Sequence, residues 1–168
     1  MKILGEKSLS SKVIVGLNIL FTIISIVDIV VLSVIIKIIK HIVMGENIQN
    51  NISDLIFFLM IISTGIIALF IIYQFIKIFK NLKRDILFCE DNAKSLNVVS
   101  YSCFIISALY LVIAIFIFSI MRNLVGNYIC AFSIMLMIIF VASGVGIKIL
   151  NEIYKKAIEY KEENDFTI

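Results

Sequence analysis

Proline and tryptophan are absent from this chain, histidine occurs once, and charged residues make up only 16% of it. Each shortage removes a class of protein. The Pro- or Gly-interrupted helices that transporters build around a midplane site have no proline to form them here. With His41 as the lone histidine, and Cys89, Cys103 and Cys130 as the cysteines, a zinc site lacks its ligand set. An odd cysteine number without C-x-x-C spacing gives no disulfide framework either, so the three read as small apolar fillers. Typical soluble domains carry about 25% charged residues, and this chain falls well short of that.

What is present is aliphatic. Hydrophobic residues reach 61%, against about 45–50% in soluble domains, and 168 residues cannot hide so many side chains in one core. The bilayer is therefore the expected solvent. Ile- and Val-rich runs favour strands in water, but a buried strand rarely exceeds about eight residues, and these runs are far longer. The Ile, Lys and Asn bias is that of an AT-rich bacterial genome.

A membrane helix needs about 20 apolar residues to cross roughly 30 Å of hydrocarbon. Four segments meet that length, at about 13–36, 55–76, 98–120 and 127–147. The first is too long for a cleaved leader and no A-x-A site follows it, so it is expected to stay as an anchor. The outer connection, 37–54, begins as a continuation of the first helix, with Ile38, Ile39, Ile42 and Val43 at helical spacing until Gly45 offers a stop. Short connections predict an all-α, integral membrane four-helix up-down bundle. It forms a single domain over 1–168, with a loop at 77–97 and a tail at 148–168.

Basic residues give the expected direction. Lys2, Lys7, Lys12, Lys77, Lys80, Lys83, Arg84, Lys94, Lys148, Lys155, Lys156 and Lys161 flank one side, twelve of the 15 in the chain. Lys37, Lys40 and Arg122 flank the other. Short loops rich in Lys and Arg stay inside, so the N and C termini are expected to be cytoplasmic, in a bacterial cell membrane.

Polar residues within the spans are sparse. Asp28 is the one charge, at a cost of about 2.5–3.5 kcal/mol on insertion scales. It is the candidate intramembrane site, read either as a protonatable group or as a packing lock. Ser63, Thr64, Ser107 and Ser133 are expected to bond back to their own helices, and Tyr73, Tyr101 and Tyr128 to anchor at the interfaces. Gly65, Ala68, Ser107, Ala114, Ala142 and Gly146 are small enough to allow close helix packing. Ala142-x-x-x-Gly146 serves either internal packing or a homo-oligomer.

The candidate cytoplasmic interaction residues fall in the loop and the tail. Lys77, Lys80, Lys83 and Arg84 share one helical face under the membrane, where each gains about 1 kcal/mol from anionic lipid. Phe88 and Asn92 follow them. Glu159, Glu162, Glu163 and Asp165 form an acidic end that headgroups repel; it either folds onto the basic loop or docks a partner. No HExxH, P-loop, GxSxG or glycine-rich phosphate cradle appears. The expectation is therefore a non-enzyme with no catalytic residue, cofactor or metal, whose first partner is the lipid bilayer and which contacts no nucleic acid directly.

Four stretches together resemble the bacterial membrane family known as DUF2975, a domain of unknown function. They are Met1-Lys2-Ile3-Leu4-Gly5 leading through Lys7-Ser8-Leu9, then Tyr73-Gln74-Phe75-Ile76-Lys77-Ile78-Phe79-Lys80, then Phe88-Cys89-Glu90-Asp91-Asn92 before a third helix near Lys94. The fourth is the ending Glu159-Tyr160-Lys161-Glu162-Glu163-Asn164-Asp165-Phe166-Thr167-Ile168. The chain departs from that pattern at Ile86 and Leu87, where the family often has Gly or Asn and then Pro. The resemblance implies a gene beside a small Cro/repressor-type helix-turn-helix regulator, and hence a regulatory pairing; it defines no catalytic residues. The alternative is a small transporter or immunity-type protein that uses Asp28.

Overall fold

The computed structural model describes residues 9–45, 48–84, 86–120 and 124–165, with backbone only at 48–51, 53, 125, 164 and 165. Lys2, Lys7 and Arg122, the motif residues 1–8 and 166–168, and the side chain of Asp165 lie outside the described residues. All regular structure within them is helical: α1 (Leu9–Val43), α2 (Ile48–Lys83), α3 (Glu90–Ile120) and α4 (Leu124–Asp165). Even the shortest, at 31 residues, extends about 46 Å at 1.5 Å per residue. All four helices are long and apolar enough to cross a membrane. The β-branched runs are helical here, the form in which a long apolar segment satisfies every backbone group internally.

The helix ends follow from local chemistry. After Val43 the chain turns at Gly45, whose φ is 78°, a left-handed conformation that glycine adopts without a Cβ penalty. Its N–H bonds the Ile42 carbonyl at 3.0 Å, so the expected stop is realised. α2 runs on to Lys83, with Lys80 and Lys83 in its last turn, where cations offset the negative end of the helix dipole. α3 starts four residues before the expected Lys94. The Cys89 carbonyl accepts the N–H groups of Asn92 (3.2 Å) and Ala93 (3.4 Å), and Glu90 and Asp91 occupy the first turn, the favourable end for carboxylates. The expected loop at 77–97 is therefore mostly helix.

Packing runs along the chain: α1 meets α2, α2 meets α3, and α3 meets α4. Among the described residues no Cα of α1 comes within 8 Å of one on α4, so the up-and-down order is present but the fourth side is open. α3 is the central element. A third of its most apolar stretch (33%) is buried, against 6% for α1, 6% for α2 and 11% for α4. Its sequence explains this: Ala93, Ser95, Ser100, Ser102, Cys103, Ser107 and Ala114 are all buried, and small side chains let neighbouring backbones approach. By contrast Ile19, Ile26 and Ile29 of α1 face outward, an apolar exterior suited to hydrocarbon rather than water.

The hydroxyls behave as expected. Ser63 donates to the Leu59 carbonyl (2.7 Å), Thr64 to Ile61 (2.7 Å), Ser107 to Phe104 (2.7 Å) and Ser133 to Ile129 (2.9 Å). Ser100 instead crosses to the Gly144 carbonyl at 2.8 Å. Gly144 is the close-approach position on α4, since a Cβ there would stand 3.2 Å from the Phe104 ring and 3.3 Å from the Ser100 carbonyl oxygen. Ala142 and Gly146 face outward, and a Cβ on Gly146 would meet nothing within 4 Å. Internal packing uses Gly144, not the Ala142-x-x-x-Gly146 pair.

Candidate functional site

The starts of α1 and α3 and the ends of α2 and α4 share one end of the molecule, here called the basic end. Its centre is Asn92, in the first turns of α3 and fully buried at 0% exposure. Its Oδ1 accepts from Asn81 Nδ2 of α2 at 2.7 Å. Its Nδ2 donates to the Leu87 carbonyl at 3.2 Å and to the Tyr154 hydroxyl of α4 at 3.1 Å. The Tyr154 hydroxyl in turn donates to the same Leu87 carbonyl. One amide therefore ties together α2, the 86–89 connection and α4. The Phe88 ring lies 5.6 Å from that of Tyr154, tilted by 43°, and Cys89 Sγ is 3.9 Å from Asn81 Nδ2. A buried amide left unpaired costs about 1–3 kcal/mol; here its acceptor and its donor group are both engaged. We call this cluster the clasp.

Further along the α3–α4 seam Lys148 donates to Asn97 Oδ1 at 2.9 Å, with its ammonium 5.1 Å from the centroid of the Tyr101 ring. Between these two rungs lies Asn151, at 0% exposure, with neither Nδ2 nor Oδ1 hydrogen-bonded. On the flank of the seam the two helices part around a cleft of about 520 Å³. Ala93 and Ile158 give it apolar surface, and Glu90, Lys94, Lys155, Glu159 and Glu162 line it with charge. Lys94 bonds Glu90 at 3.0 Å, a partnership that holds the Lys94 ammonium above the usual lysine range.

The other candidate lies within the apolar stretch of α1. The Asp28 carboxyl rests in the notch left by Gly65 of α2, where a Cβ would stand 2.7 Å from Asp28 Cγ and 2.8 Å from Oδ2. Oδ2 is buried and unbonded. Among the described residues, no three His, Cys, Asp or Glu side chains stand close enough to hold a metal ion.

The family described as "Protein of unknown function (DUF2975)" matches residues 46–168, the stretch that carries the whole clasp and cleft. The chain belongs to that family. No curated protein and no solved structure matches it.

Within this DUF2975 chain the sequence-predicted residues separate into three groups. Phe88 and Asn92 meet at the clasp. Lys77, Lys80 and Arg84 lie exposed, with Lys83 half-buried, on or just beyond the end of α2; among the described residues no Cα of α4 comes within 8 Å of one on α2. The acidic end does not fold onto them: α4 continues as a helix to Asp165, and Glu162 lines the α3 cleft while Glu163 is exposed. Asp28 sits elsewhere, against α2, and outside the matched residues. Sequence reasoning missed Asn81, Asn151 and Tyr154. Tyr154 lies 62 residues from Asn92, beyond any local motif, though a tyrosine and two asparagines in the polar halves of long helices were the available signal.

Proposed function

We propose that this DUF2975 protein is a non-enzymatic, multi-pass protein of a bacterial cytoplasmic membrane, and that its basic end is a cytoplasmic docking platform. Its partner on this reading is a soluble regulator, and the resemblance points to the Cro/repressor type. The observation that carries the proposal is the clasp. A bundle that only fills lipid needs no buried hydrogen-bond network at the ends of its helices, whereas a recognition surface needs side chains held by supporting contacts. α4 adds reach, continuing for about 27 Å beyond residue 147 at helical rise. The twelve of 15 basic residues that flank that end support a cytoplasmic orientation by the positive-inside rule, and the exposed Lys77, Lys80 and Arg84 suit anionic headgroups.

The test is a pull-down of the regulator with the intact membrane protein, repeated after deletion of residues 159–168. Capture that is lost on deletion supports the platform; capture unchanged by it removes the tail from the mechanism. A second reading rests on Asp28, whose buried, unbonded Oδ2 beside Gly65 suits a proton-coupled site. There Asp28→Asn abolishes ligand-coupled proton movement in proteoliposomes, and absence of flux from the wild type ends that reading.

A further inference from the structure

We infer that the cleft between the first turns of α3 and the outer part of α4 is a receptor for a basic amphipathic helix of a cytoplasmic protein. The inference rests on the platform reading, and it adds the chemistry of what docks there. The cleft, about 520 Å³, is within the range of a formed binding site. Its charges do not cancel. Lys94 is engaged by Glu90 at 3.0 Å and Lys155 by Glu152 at 3.5 Å, while Glu159 and Glu162 make no ion pair among the described residues. Two free carboxylates therefore stand three residues apart on one face of α4, the spacing at which Lys or Arg side chains on a facing helix also recur.

The apolar surface of Ala93 and Ile158 gives an aliphatic anchor somewhere to sit, which is the helix-in-groove mode of recognition. A second observation comes from the same face. Positions 151, 155, 158 and 162 recur at helical spacing; the last three line the cleft. Asn151, one turn further in, is wholly buried with both amide atoms unbonded. Such a group is costly unless a partner meets it, so the face of α4 that lines the cleft carries unmet hydrogen-bonding capacity one turn beyond the lining itself. The free carboxylates repel anionic headgroups and phosphates, which leaves a cation as the fitting occupant.

The experiment uses the full chain in nanodiscs of phosphatidylcholine, which carry no net charge to attract the probe. The probe is a fluorescent 18-residue helical peptide with leucines on one face and lysines and arginines on the other, read by anisotropy. Wild type is expected to bind it saturably, and Glu159→Gln with Glu162→Gln to weaken binding at least tenfold without changing the melting temperature. Ile158→Ser should weaken it several-fold. Equal binding by the double variant, by empty nanodiscs, or by a glutamate-for-lysine peptide would overturn the proposal. Binding fully displaced by spermine and unaffected by removing the peptide's leucines would overturn it in favour of a small polycation. A captured cellular partner whose retention ignores Glu159→Gln and Glu162→Gln sinks the cleft and spares the platform; peptide binding with no cellular partner at all does the reverse.

Discussion

Asn92 is the residue on which the basic end depends. Its side chain makes one accepting and two donating bonds to three separate elements, so Asn92→Ala should cost about 1–3 kcal/mol by removing all three at once. Tyr154→Phe keeps the ring beside Phe88 and removes only the hydroxyl, so its cost should be nearer 1 kcal/mol. Thermal unfolding in detergent ranks the two. A local readout exists as well, because half-buried Cys89 sits beside Asn81. Loss of the clasp should speed maleimide labelling of Cys89 while buried Cys103 stays slow. At this scale the sequence was partly legible: Asn92 and Phe88 stood in a recognisable local motif. Asn81 looked like one polar residue among lysines, and Tyr154 like one position of a solvated helix, since hydrogen bonds between distant helices leave no periodic trace.

Among the elements, close helix approach is set by glycines that do opposite things. In a helix interior Gly→Ala ordinarily gains about 1 kcal/mol. Gly65→Ala should lose instead, by about 1–3 kcal/mol, because the new methyl overlaps the Asp28 carboxyl. Asp28→Ala should recover most of the loss in a double-mutant cycle. On α4, Gly144→Val should destabilise against Phe104 and the Ser100 carbonyl, while Gly146→Ala, which meets open space, should be neutral or stabilising. Thermal unfolding of the four variants checks both signs. The four helices were readable from apolar run length alone. The small-residue spacing was readable too, but spacing does not say which face meets a neighbour, and on α4 the meeting face is two residues away from the expected pair. Helix ends were also hidden: the turns at 77–83 and 90–94 are polar, and only the capping carbonyl of Cys89 and the acids after it mark where α3 begins.

At the scale of the molecule, contacts among the described residues link α1 to α2, α2 to α3 and α3 to α4 without closing back to α1. With Cys89 and Cys103 replaced, a cysteine introduced at Ala114 should cross-link on oxidation with Cys130, whose Sγ stands 3.6 Å from the Ala114 carbonyl oxygen. A pair at Asn18 and Ala142 should not cross-link within one chain, since a disulfide needs Cα atoms within about 7 Å and α1 and α4 are further apart than that. Intramolecular cross-linking of the second pair would show a closed bundle. The open arrangement leaves the central α3 and its clasp as the joint between two helix pairs, at the end where unpaired carboxylates, the cleft and the long α4 extension gather. The measurement that bears most directly on that end as a docking surface is affinity capture from native membranes of wild type, Asn92→Ala and Asp28→Asn, with bound proteins quantified per membrane protein recovered. A cytoplasmic protein held by wild type and by Asp28→Asn, and largely lost with Asn92→Ala, is the expected result. Capture of nothing by wild type, or loss with Asp28→Asn and not with Asn92→Ala, would contradict it.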